Sequence, residues 1–292
     1  MSIKIYRHID KIRSALDDER IDGKRIAFVP TMGNLHEGHL QLVRLARQKC
    51  DVVVASIFVN PLQFGLSEEW DQYPRTFESD CEKLQTEACD YLFFPTDNEM
   101  YPNGMADQTR VVCPTMTDVL CGASRPGHFE GVTTVVTKLF QIVEPDVAIF
   151  GKKDFQQLAI IRRMVADLCM GVDILGAPIA RDHDGLALSS RNSFITEEER
   201  PKVTVLHKTL SWIKESVESG RRDYLNLQSE ASETVEKSGF KVDYIEVCNA
   251  QNLLPAVDDD TELAILGALF TAHARLIDNV ALNLENVSEP KR

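Results

Sequence analysis

The chain has 292 residues, 45 of them acidic and 32 basic, for a formal net charge of −13. That length supports about two domains of ordinary size, with a core that needs no disulfides. The acid excess speaks against a broad nucleic-acid-binding face and against recruitment to an anionic membrane, but a locally basic pocket for a small anion remains open. The start, residues 1–8, lacks the apolar core of a secretory signal, and no apolar stretch reaches the ~18–20 residues that span a bilayer. The seven cysteines (Cys50, Cys81, Cys89, Cys113, Cys121, Cys169 and Cys248) are scattered, with no CxxC pair. Such usage indicates buried thiols of a cytoplasmic protein, with neither a disulfide framework nor a zinc knuckle.

The first apolar run is 25–30, followed by a Gly/His-rich turn and then 40–49, where Leu42, Val43, Leu45 and Ala46 recur at helical spacing. Residues 52–59 form a continuous, β-branched run, as in a parallel strand covered on both faces. Strand, tight turn, helix and second strand make a βαβ unit. The alternation continues with a helix over 77–88, a strand over 91–94 and a helix over 131–143. A strand over 147–150, a helix over 155–169 and a strand over 172–175 follow. This predicts an α/β fold, a Rossmann-like open parallel sheet that places its ligand outside the carboxyl ends of the strands.

Past about residue 190 the texture changes. Thr196-Glu197-Glu198-Glu199 reads as a capping box opening a helix that runs to Ser219-Gly220. A polar helix over 224–238 and strands over 242–247 and 263–273 complete a smaller α+β C-terminal domain. The expected division is 1–182, a nucleotide-binding catalytic domain, and 183–292, the small domain, which would act as a lid. The first carries a net −6 and the second −7, so the small domain is the more acidic per residue and the poorer phosphate binder.

The densest chemistry is Pro30-Thr31-Met32-Gly33-Asn34-Leu35-His36-Glu37-Gly38-His39, between the first strand and the next helix. Gly33 and Gly38 let the backbone approach a ligand, and the helix aims its N-terminal amides at the same place. His36 and His39 are three residues apart, so on a helix they share a face and can donate to phosphate oxygens. H-x-G-H at a strand-to-helix switch is a signature of nucleotidyl transfer. A second cluster, Gly151-Lys152-Lys153-Asp154, follows another apolar strand. There a lysine meets a triphosphate as a point charge and Asp154 can cap the following helix. A third, Leu188-Ser189-Ser190-Arg191, combines two hydroxyls with a guanidinium for a phosphate chain. Asn60 and Gln63 are neutral amides at a strand end, suited to orienting a hydroxyl or carboxylate, although Asn60-Pro61 is equally a turn signal. The segments at Tyr73-Pro74-Arg75 and 125–131 read as lids or as plain turns.

Five blocks in order, 30–39, 56–64, 125–129, 150–157 and 185–192, together resemble the pantothenate synthetase (pantoate–β-alanine ligase) family of the HxGH nucleotidyltransferase superfamily. The likeness covers nearly all of the chain to Asn192 and returns at residues 274–279. Lys152, where Glu or Gln is frequent, and Leu188, where Met is common, depart from usual variants without removing a chemical role. The resemblance implies condensation of pantoate with β-alanine through a pantoyl adenylate, with release of AMP and pyrophosphate. ATP would be the co-substrate, with Mg²⁺, in a homodimer. It implies that Met32, Gly33, Asn34, Leu35, His36, Glu37, Gly38, His39, Gly151, Lys152, Lys153, Asp154, Ala180, Leu188, Ser189, Ser190 and Arg191 flank ATP. His39 is the implied proton donor, and Gln63 and Gln157 hold pantoate, Gln63 also lying near β-alanine. His36, Lys153 and Arg191 would join His39 in stabilising phosphate charge. No metal-ligand set is legible, and no base for the amine is identified. A shielding lid is expected from the small domain and the loop near 64–75. Two other readings stay open at this point. One is an H-x-G-H transferase of cytidylyl groups, which would not need Gln63 or Gln157. The other is a regulator that binds ATP and releases no pyrophosphate.

Overall fold

A computed structural model describes residues 2–65 and 70–286. Six strands form one sheet: β1 (Lys4–Tyr6), β2 (Ile26–Thr31), β3 (Val52–Ile57), β4 (Tyr91–Phe93), β5 (Val147–Gly151) and β6 (Asp173–Ala177). Every neighbouring pair is parallel, in the order β1-β4-β3-β2-β5-β6. The helices between them are α1 (Ile9–Ile21), α2 (Glu37–Lys49), α3 (Phe77–Thr86), α4 (Asp97–Met100), α5 (Cys121–Ser124), α6 (His128–Val143) and α7 (Phe155–Asp167). All six residues of β3 are buried, Ser56 among the five apolar ones, as expected of a strand covered on both faces. In α2 the stripe Leu42, Val43 and Ala46 packs with Ala27, Val29 and Ile149 of the sheet.

The strand order sets where a ligand goes. From β2 the chain proceeds outward through β3 and β4 on one side, and through β5 and β6 on the other. The order therefore reverses between β2 and β5, the switch point at which open α/β sheets hold their ligands. The 30–39 motif leaves the carboxyl end of β2, and Gly151-Lys152 stands at the carboxyl end of β5.

After residue 178 come α8 (Val205–Glu218), α9 (Tyr224–Lys237) and an antiparallel sheet of β7 (Lys241–Asn249), β8 (Glu262–Phe270) and β9 (Arg275–Asn283), in that order. Leu206, Leu210, Ile213 and Val217 of α8 and Leu227, Ala231 and Val235 of α9 recur at helical spacing. They share a core with Leu263, Ile265 and Leu269 of β8.

The chain forms two compact units, residues 1–152 with 160–178, and 153–159 with 179–292. Residues 179–182, expected in the first, join the second because Asp182 N–H donates to Leu186 O and Leu188 N–H to Ala180 O, both at 2.8 Å. The Thr196 capping box forms, Glu199 N–H donating to Thr196 Oγ1 and Thr196 N–H to Glu199 Oε2. The helix itself opens only at Val205, since Pro201 has no N–H to continue the ladder. Five elements, β1, α1, α4, α5 and β9, were not anticipated. In α1 only Ile12 and Leu16 are buried, too thin a stripe to register as a period.

Candidate active site

His36 is the N-cap of α2, with extended backbone. Its Nδ1 accepts from Gly38 N–H at 3.1 Å, while His36 N–H donates to His39 Nδ1 at 3.3 Å. Both Nδ1 atoms are thus acceptors, which places the proton of each neutral ring on Nε2. The ring centroids are 4.2 Å apart. The H-x-G-H spacing therefore produces two adjacent Nε2–H donors at a helix N-terminus, where the macrodipole also favours an anion. Glu37, the acid beside them, pairs with Arg44, whose guanidinium holds its carboxyl below the usual range.

The turn that delivers these rings rests on Asp80, a residue of α3 that sequence reasoning passed over. Its carboxylate is fully buried and accepts Asn34 N–H and Leu35 N–H, each at 2.8 Å, and Thr76 Oγ1–H at 3.1 Å. Gly33 has φ +81°, and a Cβ there would stand 3.0 Å from Ile57 Cγ2 and 3.1 Å from Asp80 Oδ2, so only glycine suits the position. Asn34 follows in the left-handed region at φ +50°, which asparagine tolerates. Lys83 Nζ donates to Leu35 O at 2.7 Å. In the sequence Asp80 is one polar residue of an amphipathic helix, 41 positions from His39, and no local signal marks it.

Gln63 is 8% exposed and its Nε2 donates to Met32 Sδ at 2.9 Å, so the structure brings the 30–39 and 56–64 blocks together. Asn60 is engaged within the protein. Its Nδ2 donates to Gln63 Oε1 at 3.3 Å and Gly131 O at 3.1 Å, and its Oδ1 accepts from Leu62 N–H at 3.3 Å and Tyr101 Oη–H at 2.7 Å. Two donors and two acceptors exhaust the amide. Asn60 thus supports Gln63 and caps its turn. Burial pushes the Tyr101 phenol well above its ordinary value, which keeps it a donor to Asn60. His128 Nδ1 lies 2.7 Å from Gln63 O and its Nε2 3.0 Å from Arg125 Nη1. A carbonyl on one side and a guanidinium on the other make Nδ1 the protonated atom. Tyr101 and His128 are further residues absent from the sequence-derived site. Of the loop near 64–75, residues 66–69 lie outside the described residues.

Lys152 N–H donates to Ala177 O at 2.9 Å, extending the β5–β6 pairing to an exposed side chain. In the second unit Lys153 is half-buried, and Asp154 O accepts from Leu158 N–H in the first turn of α7, where Gln157 also lies. Ala180 and Leu188 are directly paired. Ser189 Oγ accepts Arg191 N–H at 3.2 Å and caps a 3₁₀ turn over Ser190–Phe194, leaving Arg191 exposed. A cavity in this unit is lined by Lys153, Ser189, Asn192, His207 and Asp278.

No group of three or more His, Cys, Asp or Glu side chains poised for a metal exists among the described residues, and no described helix is long and apolar enough to cross a membrane. A family profile described as pantoate-beta-alanine ligase matches residues 4–281. The chain is 61% identical over 282 residues to a pantothenate synthetase of Cellvibrio japonicus (strain Ueda107), covering 97% of this chain and 100% of that one. The crystal structure of pantothenate synthetase from Thermus thermophilus has 43% identity and a TM-score of 0.86, covering 95% of this chain and 99% of its own. A pantoate-beta-alanine ligase from Francisella tularensis, solved in complex with beta-gamma ATP and beta-alanine, has 32% identity and a TM-score of 0.80 over 97% of this chain and 98% of its own. With the profile matched nearly end to end and that identity across the whole length, this chain belongs to the pantoate–β-alanine ligase family.

Proposed function

We propose that the protein condenses pantoate with β-alanine, using ATP to activate the acid. A carboxylate is a poor acyl donor, so a pantoate oxygen first attacks the α-phosphorus of ATP. A P–O bond forms, the bond to pyrophosphate breaks, and pantoyl adenylate remains. The neutral amine of β-alanine then attacks the acyl carbon, a C–N bond forms, and AMP and a proton leave.

Negative charge grows on the α-phosphate oxygens and on pyrophosphate during the first step, and the residues are assigned by what they can do for that charge. His36 and His39 donate Nε2–H, His39 serving as the proton donor. Lys153, Ser189, Ser190 and Arg191 supply donors to the phosphate chain. Met32–Leu35, Glu37, Gly38, Gly151, Lys152, Asp154, Ala180 and Leu188 line the nucleotide, and Gln63 and Gln157 hold pantoate. Mg²⁺ enters as part of the MgATP substrate, carried by phosphate oxygens and water, in keeping with its reluctance to shed its hydration shell. A homodimer in the cytoplasm completes the reading.

One observation carries it: two imidazoles fixed as Nε2–H donors at the N-terminus of α2, on the switch-point strand of a chain that belongs to this family. Incubation with MgATP, pantoate and β-alanine should yield AMP, pyrophosphate and pantothenate in equal amounts, with His39→Ala slower by about 10²–10³-fold. No AMP above background overturns the proposal. Turnover of CTP with a phosphorylated alcohol would instead mark another transferase, and ATP binding without pyrophosphate release a regulator.

A further inference from the structure

Lys153 is tied by its backbone to the far end of the chain. Asn279 of β9 donates from Nδ2 to the Lys153 carbonyl oxygen at 2.8 Å. Asn279 is 4% exposed, and Asp278 before it is 5% exposed. The Asp278 carboxylate takes both arms of Arg181, Nη1 at 2.7 Å and Nη2 at 2.9 Å, and its Oδ1 accepts the Asn279 N–H at 2.7 Å. His207 Nδ1 of α8 stands 3.3 Å from Asp278 Oδ2. Arg181 also donates to Gly185 O at 2.9 Å, in the loop that pairs Ala180 with Leu188. Lys153, Ser189, His207 and Asp278 line one cavity within a single unit.

This arrangement is costly as a stabilising device. Desolvating two charges offsets most of their attraction, and apolar replacements of buried ion pairs are often neutral or stabilising. Burial pushes the Asp278 carboxyl up, yet its contacts with His207 and Arg181 outweigh that and leave it below the ordinary carboxylate value. The group is thus ionised, and its charge aligns the strand residue that reaches Lys153.

We propose that Asn279, held in register by the Asp278–Arg181–His207 cluster, is a positioning residue for Lys153, pinning its carbonyl so that the ammonium is delivered to the phosphate chain during adenylation. The inference rests on the charge-stabilising role proposed above for Lys153. Asn279→Asp keeps the shape and turns the donor into an acceptor facing a carbonyl oxygen. Pantoate-dependent exchange of labelled pyrophosphate into ATP should then slow by about 10- to 100-fold, as for loss of a supporting hydrogen bond behind a functional group. KM for pantoate should hold within about twofold, because pantoate-binding groups are untouched. In a Lys153→Ala background the same substitution should cost nothing further, since residues acting through one another are non-additive. Asn279→Ala, which removes the donor without burying a new charge, is carried through the same cycle, and Asn279→His, whose ring N–H can replace the amide donor, should recover part of the rate. Equal losses from the Asn279 substitutions in both backgrounds, or wild-type exchange in Asn279→Asp and Asn279→Ala while Lys153→Ala is impaired, overturn the positioning role. Wild-type exchange in Lys153→Ala itself refutes the role of the lysine instead.

Discussion

Gly131→Ala sets two physical effects against each other in one methyl group. Gly131 is the fourth residue of α6, and glycine in a helix interior costs about 1 kcal/mol relative to alanine, so propensity alone favours the substitution. Packing says the opposite. A Cβ there would stand 2.3 Å from Leu62 O, 2.5 Å from Leu62 C and 2.6 Å from Gln63 N, whereas ordinary contact begins at 3.4 Å. The obstructing atoms are backbone, so no rotamer change relieves them, and the 3₁₀ turn over Pro61–Gln63 must retreat by about 1 Å. Overpacking of this kind costs about 1–3 kcal/mol, here near the upper end, leaving a net loss of about 2 kcal/mol after the helix gain. The retreat also loosens the Asn60 bond to Gly131 O and carries Gln63 with it. A displacement of about 1 Å in a group that places substrate lowers turnover by about 10²-fold. Urea unfolding followed by circular dichroism and AMP release against pantoate concentration measure the two effects. An alanine variant about 1 kcal/mol more stable than the parent, with unchanged turnover, would refute the packing argument.

Asp80→Asn leaves one amide oxygen for two buried N–H groups and points an NH₂ at the other. With hydrogen bonds to a charged acceptor contributing about 1.5–3 kcal/mol each, the urea midpoint should report a loss of about 2–4 kcal/mol. AMP release should fall with it, and a stability change under about 0.5 kcal/mol would count against the clamp. Asp278 gives a pH dependence of definite sign. Its folded-state carboxyl is held below the ordinary 3.8, so its contribution is complete above that value and is lost as the pH falls toward the lowered one. Asp278→Asn should therefore be less stable than the parent at pH 7 and show a shallower decline below pH 4. A parallel decline in acid unfolding curves would contradict it.

The sequence alone determined the alternation of strands and helices, because a parallel strand covered on both faces must be nearly all apolar, as 52–57 is but for Ser56, and a helix on one face must carry a stripe, as Leu42, Val43 and Ala46 do. It also located both histidines, since their donor geometry depends on three-residue spacing and a cap that are local to the chain. It did not disclose β9, whose buried Asp278-Asn279 pair is partnered by Arg181, nearly a hundred positions away. Nor did it disclose Asp80 beneath the Gly33–Leu35 turn, or that the Asn60 amide is consumed by Tyr101, Gly131 and Gln63. Periodicity and spacing report only neighbours along the chain. Which buried polar group finds which partner is settled when folding removes water, and each lost hydrogen bond must be replaced by whatever residue the tertiary structure brings within reach.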